Sequence, residues 1–140
     1  MLEAITLVGV IAATILMAHK ILLLEKVYGI YTPLHTSYKG IHVNAPLINP
    51  NHMAAFLGIC TFTAIGLAIT ATDRTKRIMF VSASSFIGGA LLLTLSRGGI
   101  ASFVAGQILF ISILLLKKFH SKGDNEQSRQ LSWVPLAQIG

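Results

Sequence analysis

The side chains best suited to chemistry fall in two short segments, Asn49-Pro50-Asn51-His52 and Thr94-Leu95-Ser96-Arg97-Gly98-Gly99. Arg97 carries a planar, permanently charged fork that can grip phosphate oxygens from two sides. Asn49, Asn51 and His52 add hydrogen-bonding groups. Asn49 is a good N-cap and Pro50 suits the first helical position, where its missing N–H costs nothing, so a helix is expected to begin there with its positive dipole end at the segment. A second helix is expected to begin just after Arg97. Two helix N-termini and one guanidinium, if brought together, outline a site for a phosphate or diphosphate. The competing account is structural: Arg97 anchors a turn at lipid headgroups, and the Asn-Pro pair only starts a helix.

Other chemistries find less support. His35, His42 and His52 are seven and ten positions apart with no cysteine or paired carboxylate near them, which matches no metal-ligand pattern. Glu25 and Asp73 are expected on opposite sides of a bilayer, so a glycosidase-type carboxylate pair does not form. No glycine-rich loop ends in Lys-Ser or Lys-Thr, and nucleotide hydrolysis has no motif. Cys60 is the single cysteine and excludes a disulfide framework. Tyr28, Tyr31 and Tyr38 could stack on sugars, but tyrosines at such depth more often form an interfacial belt.

The elements that must position these residues follow from composition. Of 140 residues, 54% are hydrophobic and only 11% charged, whereas a soluble domain carries about 25% charged side chains. A soluble enzyme and a soluble nucleic-acid binder are both poor readings of such a composition. Runs near 20 apolar residues cross about 30 Å of hydrocarbon, and they predict spans over 4–24 and 53–71, the first with His19 and Lys20 near its end reaching for the headgroups. From Ile78 to Leu116 the one charged side chain is Arg97. A single helix of that length would measure roughly 58 Å, about twice the hydrocarbon thickness. The run must fold back, and Gly98 and Gly99 offer the freedom a tight turn wants. Spans over 78–96 and 99–116 then form a hairpin with Arg97 at its tip. The expected fold is an all-α polytopic membrane protein of about four transmembrane helices, with an external loop 25–52 and a polar, mobile cytoplasmic tail 117–140.

A net charge of +6 reads first as topology. Arg74, Lys76, Arg77, Lys117, Lys118, Lys122 and Arg129 lie on one predicted face, and Lys20, Lys26, Lys39 and Arg97 on the other. The richer face is expected in the cytoplasm, which puts loop 25–52 and Arg97 outside. Met1-Leu2-Glu3 has no basic start of the kind that marks a cleaved signal. Small residues recur four apart at Ala54 and Gly58, at Ser85 and Gly89, and at Gly98, Ser102 and Gly106; such stripes permit close helix packing in lipid, though Gly and Ser are common in membrane helices anyway.

Asn49-Pro50-Asn51 with Ala54 or Ala55 at the head of one apolar helix, and Thr94-x-Ser96-Arg97-Gly98 at the head of another, resemble the O-antigen ligase and O-antigen polymerase family of polytopic membrane glycosyltransferases. The resemblance spans about 40–116. It implies transfer of a glycan from an undecaprenyl-diphosphate carrier on the outer side of a bacterial inner membrane, to lipid A core or to a growing repeat unit, with no cofactor, metal or nucleotide sugar. It further implies that Arg97 engages the donor's diphosphate, with Asn49, Asn51 and His52 shaping that site. The stretch Ile41-His42-Val43-Asn44-Ala45-Pro46-Leu47-Ile48 departs from the family, which commonly has Gly and an aromatic residue before Asn-Pro-Asn. The family's large external loop with its catalytic histidine also has no counterpart here, so the chain is expected to be a piece of such an enzyme, completed by further membrane helices of a missing or separate chain. The alternative is a non-enzymatic integral membrane protein, a transport component or accessory subunit. The near absence of ionisable residues at mid-bilayer depth weakens a transport role.

Overall fold

The computed structural model describes residues 1–22, 30 and 45–131, with side chains described through 118. The described residues are all-α, with α1 at Leu2–Ile21, α2 at Pro50–Thr70, α3 at Arg74–Leu92 and α4 at Arg97–Leu131. By length and composition, α1, α2 and the Arg97–Lys118 part of α4 can each cross a membrane. α3 opens on Arg74, Lys76 and Arg77, so its apolar stretch begins only at Ile78. Most of the segment expected as an external loop, with Tyr28, Tyr31, Tyr38, His35 and His42, lies outside the described residues.

Local chemistry sets the helix ends. Asn49 caps α2 as expected, its side chain accepting from the Asn51 N–H at 2.9 Å, with Pro50 in the first turn. Asp73 caps α3 by accepting from the Thr75 N–H at 3.2 Å. Arg77 Nη2 donates to the Ala71 carbonyl at 3.0 Å and closes the short link from α2.

Helices α1, α2 and α3 pack together around Leu16, Met53, Leu57, Cys60, Ile87 and Leu91, all fully buried. Small residues permit the close approaches, but not along the stripes read from spacing. Ala54 and Gly58 do face inward. Ser85 and Gly89 are exposed, and a Cβ on Gly89 would meet nothing within 4 Å; Ser84, Ile87 and Leu91 turn inward instead. The tightest crossing is one that spacing did not single out: a Cβ on Gly9 would lie 2.5 Å from Cys60 Cβ and 3.1 Å from Ile87 Cδ1. His19 is likewise buried, at 4% exposure. It lies on the α1 face that also buries Ala12 and Leu16.

The expected break between the third and fourth helices forms, but its turn lies earlier than the sequence suggests. α3 ends at Leu92 and α4 already begins at Arg97, so Arg97 is the first helical residue and both glycines after it are helical. The positive dihedral is taken by Leu95, at φ 55°. Hydroxyls make this turn possible: Thr94 Oγ1 donates to the Leu91 carbonyl at 2.7 Å and accepts from the Ser96 N–H at 3.3 Å. The first turns of α4 lie beside α2 and α3, where Phe103 reaches Gly58 and Gly88.

From Val104 onward α4 belongs to a second unit. Its Val, Ile and Leu side chains through Leu116 are exposed, as lipid-facing side chains would be. The helix continues past Leu116 to Leu131 through a segment rich in Lys, Glu, Gln and Arg, which are good helix formers, and no proline interrupts it before Pro135.

Candidate functional site

The two motif segments meet. Ser96 Oγ donates to Asn51 Oδ1 at 2.5 Å and accepts from the Gly99 N–H at 3.0 Å, while the Ser96 carbonyl accepts from the Ile100 N–H at 2.8 Å. Ser96 is therefore the N-cap of α4, and one hydroxyl ties the start of α4 to the start of α2. The approach is close enough that a Cβ on Gly99 would run into Ala54 Cβ and lie 2.8 Å from Ser96 Oγ. Gly99 thus serves the helix contact and not the turn.

Four candidate residues were expected here, and they stand in different relations to this junction. Asn51 is in direct contact with α4 through Ser96. Asn49 uses its side-chain oxygen to cap α2. His52 and Arg97 are exposed on the first turns of their helices, and among the described residues neither forms a hydrogen bond or an ion pair. Nor does any described residue accept from the backbone N–H of Arg97 or Gly98. The end of α4 thus presents two N–H groups and a guanidinium outward, a donor set suited to an oxyanion.

Below this polar end runs an open groove of about 450 Å³ between α2 and the first turns of α4. Asn51 and Gly98 line its mouth, and Ala54, Gly58 and Gly99 keep it clear of bulk. Phe62 and Phe103 close the far end, their ring centroids 5.6 Å apart and the planes tilted by 50°. The arrangement is amphipathic along its length, with donors at the top and apolar carbon below.

Ser96, Phe62 and Phe103 were not among the expected site residues. Ser96 could have been read as an N-cap, since Ser followed by a helix start is a strong local signal. Nothing in spacing pairs Phe62 with Phe103. Among the described residues no cluster of His, Cys, Asp or Glu could hold a metal ion. In comparison with known proteins, no family, no curated protein and no solved structure matches this chain.

Proposed function

We propose that this chain forms part of the donor site of an O-antigen ligase-like or polymerase-like membrane glycosyltransferase, and that the α2–α4 junction holds the diphosphate end of a polyprenyl-linked glycan. The observation that carries the reading is the Ser96–Asn51 hydrogen bond, which sets two helix N-termini side by side with Arg97 next to them. In this reading Arg97 and the Arg97 and Gly98 N–H groups take the diphosphate oxygens. Asn49, Asn51 and His52 supply hydrogen bonds at the edge, and the groove toward Phe62 and Phe103 receives the first isoprene units. Low dielectric around the groove strengthens each charge-assisted contact.

Holding the donor is a binding and orienting role. Transfer also needs a general base for the acceptor hydroxyl. His52 is given to the donor's edge in this reading, so no described residue is assigned as that base, and the role falls to partner helices or loops.

The test is binding of undecaprenyl diphosphate to the full chain in nanodiscs, followed by native mass spectrometry. Arg97→Ala is expected to weaken binding by tenfold or more, on the order expected for a lost charge-assisted contact, and Arg97→Lys to recover only part of it because a point charge cannot replace the fork. Parent-like binding by both variants would remove the proposal.

A further inference from the structure

At the opposite end of the bundle, α1 and α3 run parallel and leave between their first turns a groove of about 380 Å³. Glu3, Thr6, Leu7 and Val10 line it from α1, and Lys76, Met79, Phe80 and Ala83 from α3. The spacing on both sides is i, i+3, i+4, i+7, one face of each helix. Charge is confined to the mouth, where Glu3 and Lys76 enter from facing helices; everything deeper is apolar except Thr6, whose hydroxyl is already bonded to the Leu2 carbonyl. From Glu3 to Val10 the groove descends about 10 Å, roughly a third of the hydrocarbon thickness.

Glu3 and Lys76 are both exposed and, among the described residues, form no ion pair with each other or with another side chain. A carboxylate and an ammonium at one mouth, not joined to each other, are complementary to a ligand that carries both charges in reverse. An apolar channel under them calls for a chain attached to that ligand. We infer that this groove binds an aminophospholipid, with Lys76 taking the phosphate, Glu3 the headgroup ammonium, and Val10, Met79 and Phe80 the upper part of one acyl chain.

A purely anionic phospholipid fits less well, because Glu3 would face its phosphate region without a cationic counterpart. General attraction of the basic α2–α3 link to anionic lipid makes the opposite prediction for Glu3, and this separates the two. The inference rests only on the chain being embedded in a bilayer and is independent of the glycan-carrier reading at the other end.

The experiment is competitive lipid retention by the full chain, exchanged from detergent into equal dioleoyl phosphatidylethanolamine and dioleoyl phosphatidylglycerol and read by native mass spectrometry. The parent is expected to retain phosphatidylethanolamine preferentially. Glu3→Gln should lower that retention by about threefold to tenfold, the range between an exposed ion pair and a charge-assisted hydrogen bond, without lowering retention of phosphatidylglycerol. Lys76→Met should lower retention of both lipids. Both positions are exposed, so neither change threatens the core. Preference for phosphatidylglycerol by the parent, a gain in phosphatidylethanolamine retention on Glu3→Gln, or parent-like behaviour of both variants would each overturn the inference.

Discussion

Ser96 and Asn51 lie 45 positions apart and share a hydrogen bond of 2.5 Å that joins the first turn of α4 to the first turn of α2. The same serine oxygen accepts from the Gly99 N–H, so a single hydroxyl both caps one helix and fastens it to another. Where Arg97 stands relative to Asn49 and His52 depends on this contact.

Ser96→Ala removes the cap and the cross-helix bond together. The cap alone is worth about 1 kcal/mol, and leaving Asn51 without its donor adds to the loss. Thermal unfolding in detergent should show destabilisation by about 1–3 kcal/mol. A double-mutant cycle with Asn51→Ala should give a coupling energy of at least about 0.5 kcal/mol; additive effects would mean that the two side chains act separately.

Gly99 and Gly98 are adjacent in sequence and opposite in consequence. A methyl on Gly99 meets Ala54 Cβ and Ser96 Oγ, whereas one on Gly98 meets nothing within 4 Å. Gly99→Ala is expected to cost about 1–3 kcal/mol through overpacking. Gly98→Ala should be neutral or stabilising by up to about 1 kcal/mol, because alanine is the better helix residue. The ordering of the two melting temperatures checks the claim.

Gly9 against Cys60 offers a paired test in the core. Gly9→Ala places a Cβ 2.5 Å from Cys60 Cβ, closer than two carbons can stand. Because the conflict is with Cβ and not only with sulfur, Cys60→Ala should fail to rescue the variant and Cys60→Gly should restore much of its stability. Equal rescue by both would show that the helices approach by some other route.

Leu95 holds φ 55° with its side chain 70% exposed. For a residue with a Cβ that conformation costs roughly 1–2 kcal/mol. Leu95→Gly should therefore stabilise the hairpin, by less than that amount because glycine also loosens the unfolded chain. A lower melting temperature would indicate that Leu95 contributes contacts with lipid that outweigh the strain.

Membrane sidedness can be read by labelling. Cys60 is fully buried, so single cysteines introduced at the exposed positions 52, 97 and 75 should dominate reaction with an impermeant maleimide. His52→Cys and Arg97→Cys are expected to label from one side of the membrane and Thr75→Cys from the other. Labelling of 52 and 97 from different sides would separate the two halves of the proposed site.

Much of this arrangement is legible in the amino-acid sequence. Asn49-Pro50 announced the start of α2, and the charge-poor run from Ile78 to Leu116, too long for one crossing, announced a reversal near Arg97. Those readings rest on local chemistry and on length, which a chain carries with it. The position of the turn is not legible in this way: Gly98 and Gly99 offer backbone freedom, yet Thr94 and Ser96 satisfy the turn's polar groups with their hydroxyls and Leu95 takes the left-handed dihedral. The small-residue stripes fared unevenly for a related reason, since four-residue spacing says which residues share a face but not which face meets a neighbour.

By itself the order of amino acids determined that the chain is helical and apolar, that Asn51 and Arg97 each stand at a helix start, and that the helices reverse between Ile78 and Leu116, because hydrophobic run length, capping preference and charge act within a few residues of one another. Tertiary structure alone decided that Ser96 is the hinge pin between the two motifs, that Gly9 and Gly99 are the points of closest approach, and that Phe62 and Phe103 close one groove while Glu3 and Lys76 open another. Those facts depend on how helices rotate and slide against each other, and rotation is settled by the summed packing of many side chains distant in sequence.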